Sequence, residues 1–371
     1  MTRLFFSAGE SSGDAHGAVL IRALRAQAPN IACEGLGGAG MAAAGMQLRH
    51  DLAREAFMGF FEVARHLPKI RRIFLDTAAY LEQSRPDALV LIDYPGFNIR
   101  LAQRAHAAGI PVVYYVSPQV WAWKKKRIQT IAKCVRRMLV IFPFEQPLYQ
   151  SARVDCVYVG HPLLDHIAAH RPKQPAAGPP LIGLLPGSRA QEIARLLPVM
   201  IGVARGVRER RPEMRFAAAA VNEERARQVR EIAAGFPLEV SVGGMYDLLA
   251  EARFCMVASG TATLETALFG VPLVILYRVS PPTYWLARLL VDVEHIGMVN
   301  ILAGKSLVPE FIQHEASAEK ILPQALELID ETPARARMID ALRDVRERLG
   351  AGGASERAAS AILEVARASR P

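Results

Sequence analysis

Short, continuous apolar runs alternate with amphipathic segments along this chain, and no other feature limits its fold as tightly. Leu4–Ala8, Ala88–Ile92, Val112–Val116 and Met138–Phe142 form a first series. After Gly160 the pattern restarts with Leu181–Leu185, Arg215–Ala220, Leu238–Val242, Phe254–Ala258 and Leu273–Tyr277. A strand buried on both faces reads as an unbroken apolar run, because helices cover the sheet on either side. Two such series predict an α/β protein of two Rossmann-like, doubly wound domains facing across a cleft, with ligands at the carboxyl ends of the strands.

At 371 residues the chain exceeds the size at which one core keeps growing, which agrees with two domains. Arg171–Pro180 is too rich in Pro to continue a helix or strand and reads as the linker. The expected division is therefore 1–170, a linker at 171–180, and 181–348. A final helical stretch at 349–371 is able to pack back on the first domain. From about Pro333 to Ser369 the pattern is helical, with one break at Gly350–Gly353.

Composition excludes several classes. An apolar fraction of 51% with 22% charged residues is that of a folded domain, not a disordered chain. The apolar run before Glu10 and Asp14 is too short for a signal peptide, and no stretch reaches the ~20 apolar residues of a membrane span. Cys33, Cys134, Cys156 and Cys255 lie far apart with no metal-ligand spacing, as reduced core residues do in the cytoplasm. A net charge of +9 leaves three partners open: nucleic acid, an anionic membrane, or anionic small substrates.

Several turns carry candidate chemistry. Gly35–Gly40 matches G-x-G-x-x-G, but it follows the second strand, and Asp51 comes too early for the ribose acid of a dinucleotide site. It reads as a glycine-rich turn lining the cleft. Glu10, Ser11, Ser12 and Gly13 occupy the first strand–helix turn, where a serine-capped helix N-terminus attracts an anion. Gly187, Ser188 and Arg189 repeat that device after the first strand of the second domain, and the Arg189 fork suits phosphate oxygens.

Ser259, Gly260, Thr261 and Thr263 open a further helix able to cradle a diphosphate, with Glu265 one turn in to accept ribose hydroxyls. Asp93 ends an apolar strand just before Pro95 and Gly96; it reads equally as a general base or as an Asx-turn. Val116–Arg137 holds two Trp and seven Lys or Arg with no acid, yet no nucleic-acid-binding motif surrounds it. His161 stands alone, and no D-x-D pair is present for a divalent ion.

Together, GESSGD, IDYPGFN, VSPQVWAWKKKR, LLPGSR, ASGTATLETALFGVP and Asn300-Ile-Leu-Ala-Gly304 resemble the lipid-A-disaccharide synthase family, end to end and in order. The resemblance implies a GT-B fold and an inverting transfer that needs neither cofactor nor metal. It implies UDP-2,3-diacylglucosamine as donor, 2,3-diacylglucosamine 1-phosphate (lipid X) as acceptor, and a β-1,6 disaccharide 1-phosphate plus UDP as products. Asp93, Arg189 and Asn300 fall on positions the family uses for activity. Gly96 stands where another member of the family carries an acid, so no second acid is expected to assist Asp93 from that position. No nucleic-acid partner is implied, and a homodimer stays open. A UDP-sugar epimerase or hydrolase would share the architecture without an acyl-chain site.

The resemblance also places the enzyme on the cytoplasmic face of the inner membrane. Between Met58 and Phe74, Phe61, Val63, Leu67 and Ile70 are interleaved with Arg65, Lys69, Arg71 and Arg72, a composition suited to an anionic headgroup layer. The same spacing fits a helix packed on its own domain, and Pro68 is expected to break or restart it.

Overall fold

The computed structural model describes residues 1–53, 60–121, 126–170, 178–280, 284 and 294–368. Most of the expected linker, 171–177, lies outside them. The chain divides into two compact units, Met1–Pro162 with Ala351–Pro371, and Leu163–Gly350.

The first unit holds a seven-stranded sheet: β1 (Arg3–Ala8), β2 (Ala32–Gly37), β3 (Gln47–Asp51), β4 (Ala88–Ile92), β5 (Val112–Tyr115), β6 (Arg137–Val140) and β7 (Cys156–Tyr158). Their order is β3-β2-β1-β4-β5-β6-β7, and every pairing is parallel. The second unit holds β8 (Leu181–Leu185), β9 (Arg215–Ala220), β10 (Glu239–Val242), β11 (Ala252–Ala258), β12 (Leu273–Tyr277) and β13 (Glu310–Ile312). These run β10-β9-β8-β11-β12-β13, again all parallel. Each sheet reverses its winding beside its first strand, between β1 and β4 and between β8 and β11. Crevices for ligands open at the carboxyl ends of such strand pairs.

Three edge strands carry no readable apolar run: β3, β7 and β13. Each is a sheet edge, half covered at best, so continuous hydrophobicity is not demanded of it. By contrast β4 and β8 are buried at every residue.

One boundary differs from expectation. The helix Leu163–His170 belongs to the second unit, where it packs on the helices Met245–Glu251 and Thr261–Phe269, so the first unit ends before 170. After the helix Pro333–Arg348, the chain re-enters the first unit at Ala351, and the helix Ala354–Ala368 lies along Ser11–Gln27, β4 and β5.

Pro68 sits inside one continuous helix, Phe60–Ser84, and does not break it. It lies on the exposed side, where its missing N–H donor and ring are tolerated most easily. The four cysteines are buried and reduced, and burial pushes the Cys33 thiol up to about 11. Among the described residues no helix is long and apolar enough to cross a membrane.

Candidate active site

In the first unit, register pairs Ala8 with Ile92, so the turns after β1 and β4 leave the sheet side by side. Asp93 and Tyr94 follow β4 with φ of 45° and 50°, two consecutive left-handed residues, neither of them glycine. Each costs roughly 1–2 kcal/mol and persists only where neighbours hold it. Tyr94 then caps the helix Pro95–Ala107. Its ring lies against Gly9, where an added Cβ would fall 2.2 Å from Tyr94 Cδ1. That contact joins the Gly9–Asp14 motif to the Asp93 motif.

The Asp93 carboxyl is pushed up to about 6, chiefly by burial and secondarily by the charge of Glu10, against a hydrogen bond from the Tyr94 backbone. Such a group stands near the operating pH of a general base. Asn98 and Tyr114, which sequence reasoning did not single out, both donate to the Asp93 carbonyl.

The helix Ser11–Gln27 is capped by Glu10 with no side-chain capping bond. Ser11 and Ser12 are exposed and do not cap it as expected, because the chain enters the helix one residue earlier. Gly13 is buried, 3.4 Å from Ala8 Cβ if given a Cβ of its own.

Asp14 explains the glycine-rich turn. Its carboxylate accepts the backbone N–H groups of Gly38, Gly40 and Met41, each at 2.9 Å. A Cβ on Gly38 would meet Asp14 Cγ at 2.8 Å, and one on Gly40 would meet Asp14 Oδ2 at 2.8 Å. The amides that a pyrophosphate would need are taken by Asp14.

Beyond β5, Val116 adopts φ 60°, an outlier for a β-branched residue. The following Ser117–Trp121 turn is pinned by Glu145, a buried acid with no signal in the sequence. Ser117 Oγ and the Phe142 N–H both donate to it, yet burial still pushes its carboxyl up to about 7. Trp121 packs edge-on against Phe144, while 122–125 of the basic–aromatic motif lie outside the described residues. His161 is buried against Phe142, and burial with the nearby His16 pushes it down to about 3, so it stays neutral.

In the second unit, Gly187 takes φ 105°, and a Cβ there would strike Glu192 Oε2 at 2.4 Å. Ser188 and Arg189 are exposed, and the Arg189 guanidinium bonds Glu192 Oε1 at 2.7 Å. Tyr277, ending β12, feels both Glu192 and Arg189, which places this pair at the carboxyl ends of the strands.

Ser259 Oγ donates to the Ile296 carbonyl, and Gly260 has open space around its Cα. Thr261 is exposed at the helix start. Thr263 differs from expectation: it is fully buried and its hydroxyl donates to the Gly260 carbonyl, shaping the turn instead of facing a ligand. Glu265 is held above the usual carboxylate range by burial, and the Tyr246 hydroxyl donates to its Oε1 at 2.7 Å.

Asn300 also differs from expectation. It is 0% exposed; its amide donates to the Val308 carbonyl and Glu310 Oε1, and its Oδ1 accepts from Leu307 and Val308 N–H. With its donors and lone pairs engaged, it works as a post for the 296–310 segment and not as a group that touches substrate.

On the Phe60–Ser84 helix, the side chains of Phe61 and Val63 lie outside the described residues. Ile70 is half-buried against the first unit's core beside Ile73, and Phe74 packs edge-on to Phe97. It was expected at a membrane; it faces inward because the 70–73–74–77 stripe is the helix's core face. Leu67 and Leu75 are exposed, at 55% and 48%.

A relative from Syntrophus aciditrophicus (strain SB), a lipid-A-disaccharide synthase, is 43% identical over 366 residues, covering 96% of each chain. Among solved structures, a putative UDP-N-acetylglucosamine 2-epimerase from Listeria monocytogenes has a TM-score of 0.67 at 14% identity, covering 98% of this chain and 96% of that one. The calicheamicin glycosyltransferase CalG4 gives 0.64 at 13%, covering 100% of both chains. These two likenesses carry the GT-B fold. The family model described as lipid-A-disaccharide synthetase matches residues 4–365, and the chain therefore belongs to that family of glycosyltransferases.

Proposed function

We propose that this enzyme transfers 2,3-diacylglucosamine from UDP-2,3-diacylglucosamine to lipid X, inverting the anomeric centre. The observation that carries the chemistry is Asp93: a half-buried carboxyl, held near neutral pKa, at the winding reversal of the first sheet. It takes the proton from the acceptor hydroxyl as that oxygen attacks the anomeric carbon. The bond from that carbon to the diphosphate breaks on the opposite face, and UDP leaves with both electrons of the bond. Arg189, the Gly187–Ser188 turn and the open backbone at Gly260 beside exposed Thr261 meet the charge that develops on the diphosphate. Glu265, steadied by Tyr246, accepts the ribose hydroxyls. Glu10, Ser11, Ser12 and Gly13 lie next to Asp93 and contact the acceptor. Mass spectrometry of the product from synthetic donor and acceptor is the direct test. UDP release independent of acceptor would indicate a hydrolase, and donor converted without UDP release an epimerase.

Both substrates carry acyl chains, so the enzyme works peripherally on the cytoplasmic face of the inner membrane. Leu67 and Leu75 stand exposed on one helix with Lys69, Arg71 and Arg72 also exposed. Changing both leucines to Ser is expected to weaken binding to phosphatidylglycerol-containing vesicles by roughly 10²-fold or more. By apolar area each buried Leu contributes ~1.5–3 kcal/mol. The melting temperature should hardly move, since neither side chain is core. Vesicle binding equal to the parent protein's would remove this face from the membrane contact.

A further inference from the structure

The two left-handed residues after β4 need an external hold, and three neighbouring strands provide it. The Asp93 carbonyl accepts Asn98 Nδ2 at 2.7 Å and the Tyr114 hydroxyl at 2.6 Å. Asn98 is fully buried, and its Nδ2 also lies 3.1 Å from the Ser7 carbonyl and 3.2 Å from the Ile92 carbonyl. Its Oδ1 accepts the Ser7 hydroxyl at 2.7 Å. Ser7 belongs to β1, Ile92 to β4 and Tyr114 to β5, and all three side chains or carbonyls are buried in the sheet. The Asp93 N–H completes the hold by donating to the Tyr115 carbonyl at 3.2 Å.

We propose that Asn98 and Tyr114 are positioning residues that lock the Asp93–Tyr94 turn in its left-handed form and so aim the Asp93 carboxylate at the acceptor hydroxyl. This rests on the reading of Asp93 as the base. Without the two donors the Asp93 peptide is free to rotate toward ordinary φ, which swings the side chain away from the line fixed by β4. Ser7, Ile92, Asp93, Asn98, Tyr114 and Tyr115 all belong to the first unit, whereas the residues proposed for the donor belong to the second. A buried amide and a buried phenol must find hydrogen-bond partners, and both direct a donor at the Asp93 carbonyl. The ionisable groups facing Asp93 are Glu10, Tyr94 and Tyr114, and all are kept in the variants below except the Tyr114 hydroxyl.

The test compares Tyr114→Phe, Asn98→Ala and Asp93→Asn in the full chain, each checked for parental circular dichroism. Tyr114→Phe keeps the buried ring and removes one hydroxyl, so it remains informative if Asn98→Ala fails to fold. The expected result for Tyr114→Phe is a kcat lowered roughly 10- to 10²-fold, the scale of a displaced reacting group. Donor KM and UDP affinity should stay unchanged. The acidic limb of the pH–rate profile should move to lower pH, because a loosened turn admits water to the carboxyl. Asn98→Ala, where it folds, should do the same to a greater degree. A parental kcat and pH limb in Tyr114→Phe, with Asp93→Asn inactive, would overturn the hold while leaving the base in place. Near-normal turnover in Asp93→Asn would remove the base and this inference with it.

Discussion

Asp93→Asn is expected to lower turnover by ~10²–10⁴-fold, the range for loss of a general base, while UDP affinity barely changes. Asn keeps the size and the hydrogen-bonding reach of the side chain and tolerates the left-handed backbone that Asp93 adopts, so the fold should survive. What it loses is the capacity to take a proton. The pH dependence is a second signature. A base works only when deprotonated, and the Asp93 carboxyl sits at about 6, so activity should fall as pH drops through that value. Burial is the larger cause of the shift and Glu10 the smaller. Glu10→Gln should therefore move the acidic limb to lower pH, yet leave it above the ~3.9 of an unperturbed aspartate. Steady-state rates across pH 4–8 with saturating donor, an interval of roughly two units either side of the limb, measure both effects. Near-normal turnover in a folded Asp93→Asn protein would return the residue to a turn-forming role.

What could be read in advance follows the physics of burial. The central strands announced themselves because both their faces are covered; Leu181–Leu185 and Ala88–Ile92 were readable to the residue. The edge strands Gln47–Asp51, Cys156–Tyr158 and Glu310–Ile312 were not, since an edge meets no such demand. Strand ends were legible less well than strand centres: Val116 looks like a fifth strand residue by composition, but it turns into a left-handed conformation to begin the loop held by Glu145. Asp93 stood out because a carboxylate at the end of an apolar run is conspicuous. Asn98, Tyr114 and Glu145 did not, because each acquires its role from a partner far away in sequence that no local spacing encodes. Asn300 was found through resemblance alone, and only its four hydrogen bonds reveal that it supports a loop. Ile70 was legible as amphipathic but not as inward-facing, because a charged helix presents the same spacing to a core as to a membrane.

Arg189→Ala is expected to weaken UDP binding and to lower turnover together, with the rate falling on the order of 10²-fold, as when one donor to a developing anion is removed. Arg189 already has a carboxylate beside it. Its guanidinium is 53% exposed and paired with Glu192 at 2.7 Å, three residues on along the same helix start. Exposed pairs of this kind are worth only ~0–1 kcal/mol. A hydrogen bond to a charged phosphate oxygen contributes about 1.5–3 kcal/mol, so the diphosphate wins the guanidinium or shares it. Glu192 therefore parks the fork near the site without sequestering it. Gly187 is part of the same device, since any Cβ there would displace the Glu192 carboxylate. Arg189→Lys should recover only part of the loss, because an ammonium keeps the charge but cannot offer the planar fork. The distinction between ground state and transition state is also measurable. If Arg189 contacts UDP equally before and during bond breaking, donor KM rises and kcat holds; if it meets the charge that appears on the leaving group, kcat falls as well. Calorimetric titration with UDP and donor-dependent kinetics on the three proteins separate these outcomes. Parental UDP affinity and rate in Arg189→Ala would place this arginine outside the site and leave the diphosphate to the backbone N–H groups that follow β8 and β11.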